Sequence, residues 1–273
     1  MMTIRELEQE ANQIRIDIIN MISEAGSGHP GGSLSAADIM TALYFYKMHI
    51  DPADPKMADR DRFVLSKGHA APCYYAALAE RGFFPKEKLL TLRRLHSELQ
   101  GHPDAKKCRG VDASTGSLGQ GYSIAVGMAL AEKRLRKSSV QVYTLLGDGE
   151  LDEGLVWEAS MAASNFQLDN LTVIVDNNGL QIDGTNDEVM ALGDLAAKFS
   201  AFGFHVIDVK DGNDMKEIVK ALDEPAEAGK PKLILAHTVK GKGVSFMENQ
   251  VGWHGKAPNE EQRQQAIREL EGR

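Results

Sequence analysis

Asp148 and Asn178 are the residues on which chemistry is most readily built. Asp148 lies between glycines in Gly147-Asp148-Gly149-Glu150, and Asn178 closes the run Asp176-Asn177-Asn178. Each turn ends an apolar run, and a helix-length segment separates the two. That layout predicts an acidic and an amide side chain at one edge of a parallel sheet. Such an oxygen pair suits Mg²⁺, which takes octahedral oxygen ligands. The glycines let a phosphate approach the backbone. A helix after the first turn would aim its N-terminal N–H groups at the same place. Each turn alone is an ordinary turn former; the pairing at the ends of consecutive strands points to a Mg²⁺–diphosphate site.

Four of the eight histidines, His29, His69, His102 and His254, lie in Gly- or Pro-flanked stretches. Packing explains such positions poorly, and loops gathered at one site explain them better. Gly116-Ser117-Leu118-Gly119-Gln120-Gly121 has the reverse spacing of a dinucleotide fingerprint and follows no convincing strand, so no NAD site is expected. No phosphate-binding G-x-x-x-x-G-K-[ST] loop occurs. Lys240-Gly241-Lys242-Gly243 either closes over anionic groups or forms a solvated turn.

The elements that must position these groups alternate between helix and strand. A stripe of Ile4, Leu7, Ala11, Ile14, Ile18 and Met21 predicts a helix over 4–23. Residues 27–33 read as a loop, with Ser35 as N-cap of a helix running to about Met48. FVLSKGHA reads as a short strand and turn, and residues 70–80 as a helix. Further strands are expected in VQVYTLLG, LTVIVDNN, FHVIDV and KLILAHTV, with helices over 122–137, 151–165, 192–202, 215–222 and 260–273. The pattern gives an α/β fold, a mostly parallel sheet with helices on both faces, as one domain over residues 1–273. Such sheets bind ligands outside the carboxyl ends of their strands. The small side of helix 151–165 (Gly154, Ala159, Ala162, Ala163) suits packing on a partner or on the chain's own sheet.

The chain's 273 residues, 42% hydrophobic and 26% charged, suffice for a sizeable core. A net charge of −8 gives no basic excess for a nucleic acid. Two cysteines without metal or redox spacing predict a reducing compartment. The charged amphipathic N-terminus is not a secretory leader, and no apolar run reaches the roughly 18 residues that span a bilayer. A cytoplasmic location, without membrane or nucleic-acid partners, is expected.

The sequence around these motifs resembles transketolase, a thiamine diphosphate enzyme. The matching pieces are SGHPGGSLSAAD (27–38), LSKGHAAPCYYA (65–76), GHPD (101–104), STGSLGQG (114–121), GDGELDEGLVWEA (147–159), DNNGLQIDG (176–184) and GWHGKAP (252–258). They run in family order through almost the whole chain. The resemblance implies a thiamine diphosphate-binding fold with Mg²⁺ bound by Asp148, Asn178 and the carbonyl of Leu180, Ca²⁺ or Mn²⁺ being possible substitutes. It places His69, Gly116, Leu118, Gly149, Asn178 and His254 at the cofactor, and His29 and His102 at the sugar substrate and reacting carbon. Glu153 and Glu158 match residues of a subunit interface.

A complete transketolase continues into pyrimidine-binding and C-terminal domains, which this sequence lacks. Its catalytic glutamate and most groups for the sugar phosphate belong there. The expectation is a transketolase N-terminal subunit that works with a C-terminal subunit, two chains of each forming a heterotetramer. Together they would transfer a two-carbon ketol unit from a ketose (phosphate) donor to an aldose (phosphate) acceptor in the pentose phosphate pathway. The alternatives are a subunit of another thiamine diphosphate enzyme, similar to 1-deoxyxylulose-5-phosphate synthase or a 2-oxoacid dehydrogenase, a truncated chain, and a non-catalytic cofactor-binding subunit.

Overall fold

Five parallel strands build the sheet in the computed structural model, which describes residues 2–272. They are β1 (Arg62–Leu65), β2 (Val142–Gly147), β3 (Leu171–Asn177), β4 (His205–Val209) and β5 (Lys232–His237), in the order β1-β2-β3-β5-β4. Register is continuous to the carboxyl ends: Gly147 stands opposite Asp176, and Asn177 opposite His237. The turns carrying Asp148 and Asn178 therefore emerge side by side, as the sequence predicts.

Both faces of the sheet are covered, which is why the central strands are apolar without a polar side. Tyr143 and Leu145 of β2 and Ile174 of β3 point into one core. Val142, Leu146, Val173 and Val175 point into the other. The first core is filled by α1 (Ile4–Ala25), α2 (Pro30–Ser35), α3 (Ala37–Ala42), α4 (Ala71–Glu80), α9 (Met215–Asp223) and α10 (Glu260–Glu271). The second is filled by α5 (Gln120–Leu130), α6 (Gly154–Asn165) and α8 (Leu195–Ala201). The short α7 (Asn186–Val189) lies in the loop after β3.

The longest helix, α1, is set at both ends by local chemistry. Thr3 and Glu6 form a reciprocal capping box, and Gly26 ends the helix in the left-handed conformation. Of its predicted stripe, Leu7, Ala11, Ile14, Ile18 and Met21 are buried and Ile4 is half-buried. Each large aliphatic side chain there contributes about 1.5–3 kcal/mol.

Three local expectations are corrected. Residues 30–33 are helical rather than loop, because Pro30 opens α2 at its first position. Ser35 is the last residue of α2 and caps nothing; its hydroxyl bonds the Gly32 carbonyl and the Asp176 carboxylate instead. The segment after Asp148 begins as a 3-10 turn, Gly149–Asp152, before α6 starts at Gly154. Ala159 and Ala163 of α6 are buried in the chain's own second core, while Gly154, Glu153 and Glu158 are exposed. Among the described residues no helix is long and apolar enough to cross a membrane.

Candidate functional site

The carboxyl ends of β1, β2, β3 and β5, with α2 and the loop before α10, enclose a cavity of about 340 Å³. It brings together His29, His69, Gly116, Leu118, Asp148, Gly149, Asn178, Leu180 and His254. These are all the predicted cofactor and cation residues and one of the two predicted substrate histidines. His102 is exposed outside the lining, its ring centroid 6.4 Å from that of His29.

Asp148 is 3% exposed. Its Oδ1 accepts from Gly149 N at 2.9 Å, and its Oδ2 from Gly179 N at 2.6 Å and Asn186 Nδ2 at 3.0 Å. All three donors are neutral, so the charge itself has no partner in contact, and burial pushes this carboxyl above its usual range. An uncompensated buried carboxylate with an amide oxygen and a carbonyl nearby is the donor set a hard divalent cation completes. Asn178 Nδ2 leans on Asp176 Oδ2 at 3.4 Å, which fixes the amide, and its Oδ1 accepts from Leu180 N at 3.3 Å with its other lone pair left toward the cavity. The Leu180 carbonyl already receives a cationic group, Lys240 Nζ at 2.9 Å. Among the described residues no three His, Cys, Asp or Glu side chains gather as a metal site. A cation here would be held by one carboxylate and neutral oxygens, and these residues fit it.

Behind that layer lies an ion pair. Asp176 is fully buried and is bonded by Lys67 Nζ, Ser35 Oγ (2.6 Å) and Thr238 Oγ1. Lys67 also donates to the Gly32 carbonyl at 2.8 Å. Burial alone would raise the Asp176 carboxyl, but the Lys67 charge and the hydroxyl donors outweigh it and hold it below its usual range. The next acidic group, Glu150, ties loops together: it accepts from Ser66 Oγ, Gly119 N (2.8 Å) and Gly147 N (3.1 Å). Sequence reasoning left Lys67, Glu150 and the inward role of Asp176 unassigned. A lysine and two carboxylates at the ends of largely apolar strands were the available signal.

Lys240 resolves the choice left open for its loop. It is 2% exposed, so the solvated turn is excluded. Its ammonium reaches Leu180 O and His254 Nδ1 (3.1 Å), and burial draws its pKa down to about 8. The rings of His29, His69 and His254 stand 5.2–5.5 Å apart. Burial and neighbouring cations lower His29 to about 4, His254 to about 3 and His69 well below its ordinary value. All three are neutral at pH 7, with one donor and one acceptor nitrogen each. A buried lysine, backbone N–H groups and neutral imidazoles around a candidate cation site fit an anion-holding α/β domain of the diphosphate-binding class.

The relatives agree with that class. Residues 7–272 match the family model described as the transketolase thiamine diphosphate binding domain. A 6-deoxy-6-sulfo-D-fructose transketolase subunit from a Clostridium species (strain MSTE9) is 47% identical over 97% of this chain and 96% of its own length. One of the subunits of the apulose-4-phosphate transketolase of Phocaeicola vulgatus is 41% identical over 100% of this chain and 96% of its own. The solved transketolase of Leishmania mexicana superposes with a TM-score of 0.92 at 34% identity, over 99% of this chain but 42% of that one. This chain belongs to the transketolase family and corresponds to its N-terminal, thiamine diphosphate-binding part. It spans less than half the length of the single-chain transketolases it matches.

Proposed function

We propose that this chain is the cofactor-holding subunit of a two-chain transketolase. The carrying observation is the buried Asp148 carboxylate, unneutralised by its own donors, at the wall of a cavity that also holds Asn178, Leu180 and three neutral histidines. Asp148 Oδ, Asn178 Oδ1 and the Leu180 carbonyl would hold Mg²⁺, with Ca²⁺ or Mn²⁺ as substitutes. His69, Gly149, Asn178 and His254 would hold the diphosphate, and Gly116 and Leu118 the body of the cofactor. Lys240 joins them, since its ammonium lies between the cation residues and His254.

Thiamine diphosphate, when bound, supplies the carbanion chemistry that breaks and forms the carbon–carbon bond. The chain's own part is positioning. Asp176 and Lys67 hold the loop that presents Asn178. His29, half-buried, and His102, exposed at the rim, would contact the hydroxyls and carbonyl of the sugar. The donor is read as a ketose with an anionic tail, because the relatives are named for a sulfonated and a phosphorylated ketose. The acceptor is read as an aldose or its phosphate.

The remaining domains, pyrimidine-binding and C-terminal, are assigned to a second chain, with this chain a single domain over 1–273. The relatives named as subunits support that division. A heterotetramer with two of each chain, a cytoplasmic location and a place in the pentose phosphate pathway complete the reading. Ketol transfer should be absent from this chain alone and present after mixing with the partner subunit. Full activity from the isolated chain would refute the division of labour. Cofactor binding without turnover in the mixture would favour a non-catalytic role. Asp148→Ala should abolish Mg²⁺-dependent cofactor binding, measured by calorimetry, while the circular dichroism spectrum is retained. Unchanged affinity would make the turn purely structural.

A further inference from the structure

His29 has a neighbour that the sequence motifs do not assign. Arg93 lies just beyond the 3-10 turn Lys86–Thr91, in a left-handed conformation (φ 59°) that a non-glycine residue seldom adopts. The hydrogen bond from Arg93 N to the Leu99 carbonyl, 2.8 Å, holds it there. The side chain runs to the cavity mouth, where Nη1 donates to Ser27 Oγ at 3.0 Å and Nη2 faces His29 Nδ1 at 3.4 Å. Its Nε is buried without a partner. A methyl group on Gly101 would lie 3.1 Å from Cζ and Nε, so the guanidinium lies against bare backbone.

We propose that Arg93 is a positioning residue that locks His29 in its neutral Nε2–H tautomer, so that this imidazole meets the sugar as a hydrogen-bond donor. A guanidinium has five N–H donors, no acceptor, and stays charged. Nδ1 of His29 must therefore turn a lone pair toward it. An imidazolium would set two donors against each other beside a fixed positive charge. Burial, then Arg93, His102 and Lys240 in that order, lower the His29 pKa to about 4, which keeps the ring neutral. The rings of His69 and His254, also facing it, are neutral as well. With Nδ1 engaged, Nε2 is the nitrogen left for a ligand, and it carries the proton. A general-base role for His29 at neutral pH is excluded by the same geometry. His254 repeats the device, since its Nδ1 faces the Lys240 ammonium at 3.1 Å.

The inference rests on the reading that His29 faces the sugar, and the test separates the two. Long-range ¹H–¹⁵N correlation of the full chain labelled at histidine reports each ring's tautomer without cofactor or turnover. His29→Gln assigns the signal. The wild-type ring should show a bare Nδ1 and a protonated Nε2, with no titration between about pH 5.5 and 8. Arg93→Leu should mix the tautomers and move the pKa upward; Arg93→Lys, which keeps a donor, should restore the wild-type pattern. In the two-chain enzyme, Arg93→Leu should lower kcat/KM about tenfold, the low end for a hydrogen bond to a charged group, with Arg93→Lys losing less. If Arg93→Leu does not fold, Gly101→Ala displaces the guanidinium without removing it and should shift His29 the same way. A protonated Nδ1 in the wild type, or an unchanged tautomer in both Arg93→Leu and Gly101→Ala, overturns the proposal. A wild-type mixture inert toward ketoses defeats the functional reading and leaves the tautomer result standing.

Discussion

Replacing Lys67 by methionine isolates the ion pair beneath the site. The substitution keeps the length and most of the volume of the side chain and removes only the ammonium. Asp176, fully buried, is left with Ser35, Thr238 and Asn178 as donors and no cation in contact. Taking one partner out of a buried pair costs about 3–5 kcal/mol. The variant has one escape, which is to bind a proton. Holding a carboxyl protonated costs about 1.4 kcal/mol for each pH unit above its unfolded value of about 3.9, hence roughly 1.5 kcal/mol at pH 5 and near 6 at pH 8. At pH 8 the unpaired carboxylate is the cheaper state, and at pH 5 the neutral acid is. The loss of stability should therefore be about 3–5 kcal/mol at pH 8 and about 1.5 kcal/mol at pH 5. In the wild type the Asp176 pKa is held below its unfolded value, so its contribution is present above that value and is lost only as pH falls through the folded pKa. Both measurements lie above that window, and the pH dependence of the difference belongs to the variant. Urea unfolding of the full chain followed by circular dichroism gives both numbers. A loss under 1 kcal/mol, or the same loss at both pH values, refutes the argument. Adding Asp176→Asn to Lys67→Met should recover at least half the loss at pH 8.

Two further outcomes follow from the packing and the charges. Gly241 has φ 78°, and a methyl group there would lie 2.3 Å from the Met247 carbonyl oxygen, so Gly241→Ala should cost more than about 2 kcal/mol and weaken cofactor binding by shifting Lys240; Gly252→Ala, with nothing within 4 Å, is the control in a thermal melt. Asp17 is raised to about 7 by burial and then by its hydrogen bond with Glu80, so its favourable contribution, present below its unfolded value, is lost as pH rises toward 7. Asp17→Asn should therefore stabilise the chain at pH 8 by about 1–2 kcal/mol, after allowance for the part of the carboxyl that water reaches, and change little at pH 4; equal melting shifts at both pH values would remove the basis for this.

The sheet was legible because buried parallel strands are nearly continuous apolar runs, and β2, β3 and β5 fall where those runs do. The carboxyl-edge loops were legible too, since glycine, proline and histidine clusters mark them. What escaped were contacts between segments far apart in sequence. Ser35 looks like an N-cap because it precedes a periodic helix pattern, yet Asp176, from a strand 141 residues away, takes its hydroxyl. Arg93 sits in a polar stretch with nothing to set it apart from Arg94, and only the fold brings it to His29 while Arg94 pairs with Glu24 at the surface.

Asp148 and Asp176 show why residue type and strand position do not fix a role. Both carboxylates stand at the edges of neighbouring strands, and both are buried. Asp148 receives only neutral donors and keeps a charge that a cation can satisfy. Asp176 receives an ammonium from the turn after β1, two strands away in the sheet. Lys67 must cross the end of β2 to reach it, and its stem passes over Gly147 at ordinary contact distance. The two adjacent carboxylates thus divide the work. The inner one is neutralised and braces Asn178; the outer one is left charged at the cavity wall, where the proposed cation would sit.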